Sequence, residues 1–380
     1  MSTGTRVIGA IAALVIAALA AGCAPEPGGA SSTVRPRQVP APSPWPTADP
    51  AADLVRTMST AERAASIVMG HIPGTDPDAL RAYMAQGLGG FILMGANIPA
   101  TEPELQALTT ALAVDSALPP LIAVDQEGGL VSRLHDDVFA ASDTLKSLPV
   151  AATTTAFSAR AELVARAGIT VNFGTVADVT ADPGSFIHGR ALGVDPASAA
   201  DRVAAATTAQ EPYVASTLKH FPGHGAAAGD SHHAIPRTEL TLEDWRGADA
   251  VPFAAGIDAG ARLLMFGHLS YPAIDAAPAS LSPAWYEIAR EELGFEGVAV
   301  TDDLGMLQSS GNPAYADPVA VAIAAVAAGS DLVLMIAGST SDTAGQIVDG
   351  LVAAAESGAL PEERLEEAAL RVMRLRLDLS

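Results

Sequence analysis

Val214-Ala215-Ser216-Thr217-Leu218-Lys219-His220-Phe221-Pro222-Gly223-His224-Gly225 passes in one step from a largely apolar run to a loop carrying a cation, two imidazoles, a proline and two glycines. A run of four or five residues without polar alternation suits a strand buried on both faces, as in a parallel sheet. The chain holds seven more such runs: 66–69, 90–94, 121–124, 169–173, 263–266, 298–301 and 332–336. Most gaps between them are about 25 to 50 residues, long enough for a crossover helix. Helices are expected at Ala197–Ala209 and at Pro283–Leu293, the latter with Ser282 as N-cap and Gly294 past its end. Eight such units predict an α/β chain folded as a single (β/α)8 barrel of the TIM type, with a doubly wound open sheet as the alternative.

Working outward, composition narrows the function. The 380 residues are 49% hydrophobic and carry a formal charge of −22. Such an acidic surface disfavours nucleic acid as a partner. Aromatics are 4%, too few for a surface built on stacked rings. The single cysteine, Cys23, excludes an internal disulfide and a multi-cysteine zinc site.

That cysteine closes an apolar run, Val7 to Ala21, preceded by Arg6. The run is shorter than the ~20 residues that span a bilayer and has the length of a secretory h-region. Leu19-Ala20-Ala21-Gly22-Cys23 resembles a bacterial lipoprotein signal, which implies removal of residues 1–22 and lipidation of Cys23. An extracytoplasmic protein tethered to the membrane is expected. Residues 23–50 form the tether, with eight prolines after the cysteine, able to reach up to ~80 Å at ~3.1 Å per residue. Residues 51–380 are left for the barrel.

In a barrel, chemistry belongs to the loops after the strands. Those positions hold Asp125-Gln126-Glu127-Gly128-Gly129 and Arg133, Asp178, His188-Gly189-Arg190, Lys219 to Gly225, Asp230-Ser231-His232-His233, His268, and Asp302-Asp303. Asp230 and His232 are two apart, close enough for the carboxylate to orient the imidazole as a proton shuttle; a loop merely capped by Asp230 is the plainer reading. A zinc site using His220, His224, His232 and His233 is the other option, although the early strand offers only His71. Asp302 directly follows its strand and could act as a nucleophile, or as a helix N-cap if Asp303 does not take that place. Asp125, Arg133, Arg190 and Lys219 suit a polyhydroxylated ligand. No phosphate-binding glycine motif is present, so no nucleotide cofactor is indicated.

Lys219 to Gly225, then Asp230-Ser231-His232, then Thr301-Asp302-Asp303-Leu304, together resemble glycoside hydrolase family 3, more narrowly its NagZ-type β-N-acetylglucosaminidases. Val124 to Gly129 and Gly168 to Phe173 fit as well, and the likeness spans about residues 53 to 375. The resemblance implies a retaining exo-glycosidase with no metal or other cofactor. Asp302 would be the nucleophile, His232 the acid/base and Asp230 its partner. Asp125, Arg133, Arg190, Lys219 and His220 would hold the sugar. The implied substrates are cell-wall fragments ending in N-acetylglucosamine, and a monomer is expected. Departures are Leu130 in place of the usual arginine, Phe266-Gly267-His268, and a shortened stretch between Arg133 and Ile169, where Ala140 to Ala161 replaces a longer and clearer helix. A phosphorylase or β-glucosidase of the same family, or a non-catalytic sugar-binding lipoprotein, are the alternatives.

Overall fold

The computed structural model describes residues 49–231 and 233–380. The signal segment, Cys23 and almost all of the tether lie outside the described residues, as does His232. Among the described residues no helix is long and apolar enough to cross a membrane.

Eight parallel strands form one sheet: β1 (Val68–Gly70), β2 (Gly90–Leu93), β3 (Leu121–Val124), β4 (Val171–Val176), β5 (Ala215–Phe221), β6 (Leu263–Phe266), β7 (Val298–Thr301) and β8 (Val333–Leu334). β1 to β7 pair in sequence order, and β8 pairs with β1. The ring closes between β7 and β8 through the parallel bridge Val300–Leu332 and the bond from Thr301 N to Leu332 O, 3.0 Å. This is the (β/α)8 barrel expected from the runs, not the open sheet.

The runs mark the strands but not all of their ends. β8 is cut to two residues because the Ile336 and Ala337 N–H groups donate to the Asp303 carboxylate at 2.7 and 2.9 Å. Ile169 is lost from β4 because its N–H closes the preceding helix on Val164 O. β5 gains Lys219 to Phe221, which the sequence reading places after the strand; its register with β6 shifts between Leu218 and Phe221. The Lys219–His220 and Phe221–Pro222 peptide bonds are both cis.

The crossover helices are capped by local chemistry. Ser59 with Glu62 and Thr101 with Glu104 form capping boxes. Helix Pro196–Gln210 matches the expected 197–209, with Asp195 accepting from Ser198 N. The helix after Ser282 runs Pro283–Glu287 and loosens into a π turn, Ile288–Glu292, before Gly294. The stretch between Arg133 and Ile169, read as shortened and without a clear helix, contains a 17-residue helix, Val150–Arg166. Alanines and threonines fill much of it, so its helical stripe is faint in sequence while Phe157, Ala161 and Val164 bury its inner face.

A cluster of aromatic residues lies behind β5 and β6. The Phe221 ring packs edge-on to Trp245, Phe253 and Trp285 at 5.3 to 5.9 Å. Trp245 Nε1 donates to Pro222 O at 2.8 Å, and the Tyr271 hydroxyl donates to Gly223 O at 2.6 Å. The root of the loop after β5 is thereby clamped.

Helix Glu362–Asp378 runs under the barrel. Arg364 and Arg371 pair with Asp331, before β8, and Arg376 donates to the Leu118 and Pro119 carbonyls, before β3. Its apolar face, with Leu365, Ala369, Val372 and Met373, is fully buried and forms the floor. The first helix, Pro50–Thr57, packs on it, and its cap Asp49 pairs with Arg374 at 2.6 Å.

Candidate active site

The C-terminal ends of the strands surround a pocket of about 340 Å³ whose wall includes Asp125, Arg133, Arg190, His220, His224, Ser231 and Asp302. Residues from β3, β4, β5 and β7, up to 177 positions apart in sequence (125 to 302), meet here because parallel strands deliver all their C-terminal ends to one rim.

Asp302 stands at the end of β7. Its Oδ1 accepts the Asp303 N–H at 2.8 Å. Burial works to raise its pKa, but the fields of His220 and His268, that N–H and Lys219 outweigh it and hold the carboxyl at about 2. Asp302 is therefore an anion at any working pH. Asp303, beside it in the pocket wall, accepts from Gly305 N and caps helix Leu304–Ser309. Of the two adjacent carboxylates, Asp303 thus serves the helix cap.

The cationic side of the pocket is a network. Lys219, 2% exposed, lies at its base with Nζ at 2.9 Å from Asp125 and 2.7 Å from Glu127. Arg190 makes a two-pronged pair with Glu127 at 2.7 and 2.9 Å, and its Nη2 lies 3.3 Å from His220 Nε2. Burial pushes the Glu127 pKa up, and Lys219 and Arg190 more than reverse this, taking it to about 2. Arg133 reaches Asp125 at 3.5 Å. His220 Nδ1 donates to Asp178 Oδ2 at 2.7 Å, which leaves Nε2 as the acceptor toward Arg190. Asp178 also accepts the backbone N–H groups of His220 and His224. His268 is fixed too: Nε2 donates to Asp303 O and Nδ1 meets the Ser280 hydroxyl, both at 2.8 Å.

All five residues expected to hold a sugar are thus gathered with Asp302, Lys219 beneath the pocket's lining and the others in it. The sequence reading left Glu127 and Asp178 without roles, although both sit at strand ends. A fully buried carboxylate has to be paired, and the arginine and histidine that serve them come from other parts of the chain, the loop after β4 and strand β5. His188 stays outside the lining, with Lys146 donating to its carbonyl.

The loop after β5 is shaped for close approach. Gly223 sits at φ 136° against Asp249, and a side chain at Gly225 would fall 1.9 Å from the Val179 carbonyl oxygen. The loop brings Ser231 into the pocket wall, while Asp230 accepts the His233 N–H at 3.1 Å through its carbonyl. Asp230 is partly buried and His233 exposed. Among the described residues no group of three or more histidines, cysteines or carboxylates is placed to hold a metal ion. A larger cavity, about 660 Å³, lies at the opposite end of the barrel among Arg262, Arg290 and Arg371. Those arginines are paired with Glu211 and Asp331.

Residues 68–375 match the glycosyl hydrolase family 3 N-terminal domain. The chain is 37% identical over 261 residues to a β-hexosaminidase of Bordetella avium, covering 65% of this chain and 73% of that protein. It is 36% identical over 299 residues to a β-hexosaminidase of Bordetella pertussis, covering 75% and 83%. A family 3 β-N-acetylglucosaminidase from Paenibacillus superposes with a TM-score of 0.79 at 30% identity, over 85% of this chain. This chain spans 63% of that longer one. A β-N-acetylhexosaminidase from Beutenbergia cavernae gives a TM-score of 0.74 at 30% identity, covering 84% of this chain and 98% of that one.

Proposed function

Because the chain belongs to glycosyl hydrolase family 3, we propose that this glycoside hydrolase is a retaining exo-β-N-acetylglucosaminidase acting on cell-wall fragments that end in N-acetylglucosamine. The observation that carries the reading is Asp302, an ionised carboxylate at a strand end, facing a pocket whose other wall offers donors and acceptors to sugar hydroxyls.

Chemistry follows from that placement. Asp302 attacks the anomeric carbon and forms a glycosyl-enzyme, while His232, oriented by Asp230, gives a proton to the departing oxygen. His232 then takes a proton from water, and the hydroxide breaks the ester with the same net configuration. A depressed carboxyl pKa suits a nucleophile that is never protonated in use. The Asp125–Lys219–Glu127–Arg190 chain keeps its charges fixed, so the groups that face the sugar need little rearrangement as charge develops.

The test is release of nitrophenol from the 4-nitrophenyl β-glycosides of N-acetylglucosamine and glucose, with and without phosphate. Turnover confined to the acetamido sugar and indifferent to phosphate is expected. Asp302→Ala should lower kcat by at least ~10⁴-fold. Preference for glucose, dependence on phosphate, or an active Asp302→Ala protein would overturn the reading. We further propose that Cys23 carries a lipid and holds the enzyme on the outer side of the cytoplasmic membrane; the support is the Leu19 to Cys23 pattern.

A further inference from the structure

His224 is 1% exposed, lines the pocket together with Asp302, and has no hydrogen-bond partner at either ring nitrogen among the described residues. Buried polar side chains in folded proteins are hydrogen-bonded as a rule, and an unmet one calls for an explanation. Its position is not loose. The His224 backbone N–H donates to Asp178 Oδ1 at 2.6 Å, and its ring packs edge-on against Phe186, centroids 4.5 Å apart at 74°. The neighbours fix the ring without using its nitrogens.

Burial lowers the His224 pKa to about 4, against the pull of Asp178 and the smaller one of Asp302. The imidazole is therefore neutral at working pH, with one N–H donor and one acceptor. His224 and Asp302 line the same pocket, which is large enough for one sugar ring and its substituents. Asp125, Arg133 and Arg190 form a charged wall matched to hydroxyls. An acetamide carries one N–H donor, one carbonyl acceptor and an apolar methyl group, so it suits a partner that both donates and accepts beside an apolar surface. An uncharged imidazole beside a phenyl ring supplies both.

We propose that His224 is a specificity-determining sugar ligand, which hydrogen-bonds the acetamido group on C2 of the sugar whose C1 Asp302 attacks. This rests on the N-acetylglucosaminidase reading above and adds the residue that separates an acetamido sugar from its 2-hydroxy counterpart.

The experiment begins with the wild-type preference between the two 4-nitrophenyl glycosides. Failure at that point refutes the parent reading, not only the role of His224. Given that preference, His224→Phe and His224→Asn are compared with wild type on both sugars. The ratio of kcat/KM for the acetamido sugar over the glucoside should fall about 10- to 100-fold in His224→Phe, the range expected when one positioned polar contact is lost. His224→Asn, which keeps a donor and an acceptor, should recover part of the ratio. In wild-type protein labelled with ¹⁵N-histidine, N-acetylglucosamine should shift the His224 ring nitrogens and glucose should not; this needs no variant to fold. An unchanged ratio, including one with both rates reduced together, would make His224 structural and overturn the proposal. Ring resonances indifferent to N-acetylglucosamine would also overturn it.

Discussion

Replacing Glu127 by Gln removes one charge from the most deeply buried part of the active-site network and leaves the shape almost unaltered. Glu127 is 1% exposed and receives two bonds from Arg190 and one from Lys219. Its carboxyl is held at about 2 against 4.5 for the free group. At about 1.4 kcal/mol per unit, that displacement corresponds to roughly 3 kcal/mol of folded-state stability at neutral pH. An independent scale agrees: removing one partner of a buried pair costs about 3 to 5 kcal/mol. Lys219 keeps Asp125, so the lower end is expected. The sign follows from the depressed folded pKa. The contribution is complete above the unfolded value near 4.5 and is lost as pH falls through about 2; near pH 3 about half remains. Urea unfolding of both proteins at pH 7 and pH 3 reads this directly. Glu127→Gln should be less stable by about 3 kcal/mol at pH 7, with the gap roughly halved at pH 3. A gap at pH 7 under about 1 kcal/mol, or one that does not narrow in acid, would refute the claim that the charge on Glu127 holds the network.

Other perturbations probe other parts. Asp249 is 4% exposed, its Oδ1 has no partner among the described residues, and burial with help from Asp178 pushes its pKa up to about 7. The folded state then binds the extra proton between about 4 and 7, so wild type should lose roughly 4 kcal/mol relative to Asp249→Asn as pH rises through that window. Parallel pH profiles of urea unfolding for the two proteins would disprove it. His232→Ala should slow hydrolysis of natural disaccharides far more than that of nitrophenyl glycosides, because a good leaving group needs less protonation; equal losses would count against the acid role. Cys23→Ala should abolish incorporation of labelled fatty acid and release the enzyme from the membrane fraction, and an unchanged distribution would exclude the lipid anchor.

Much of the barrel was legible because its strands are buried on both faces, which leaves uninterrupted aliphatic runs such as Leu121 to Val124 and Val298 to Thr301. The active rim was legible for a related reason. A charged residue directly after such a run has one place to go, and Asp125, Lys219 and Asp302 all went there. Pairings between distant segments were not legible. Nothing near Glu127 in sequence announces Arg190 or Lys219, and nothing near His224 announces that its nitrogens are unused. Strand ends failed where side chains took over backbone bonds, as Asp303 does for Ile336 and Ala337. Helix Val150–Arg166 was hidden by its alanines and threonines, whose small side chains leave little contrast between its two faces.

The helix under the barrel has a consequence for biosynthesis. Glu362–Asp378 is the last of the barrel's elements to leave the ribosome, yet it carries the floor. Until it emerges, β7 lacks the apolar face that packs beneath it, and Asp331 lacks both Arg364 and Arg371. A chain without that helix leaves apolar surface unsealed, a state that favours association with chaperones or with other incomplete chains. Synthesis of the final two turns of that helix, which bring Arg374 to Asp49 and Arg376 to the carbonyls before β3, joins the newest residues to some of the oldest and ends the exposure.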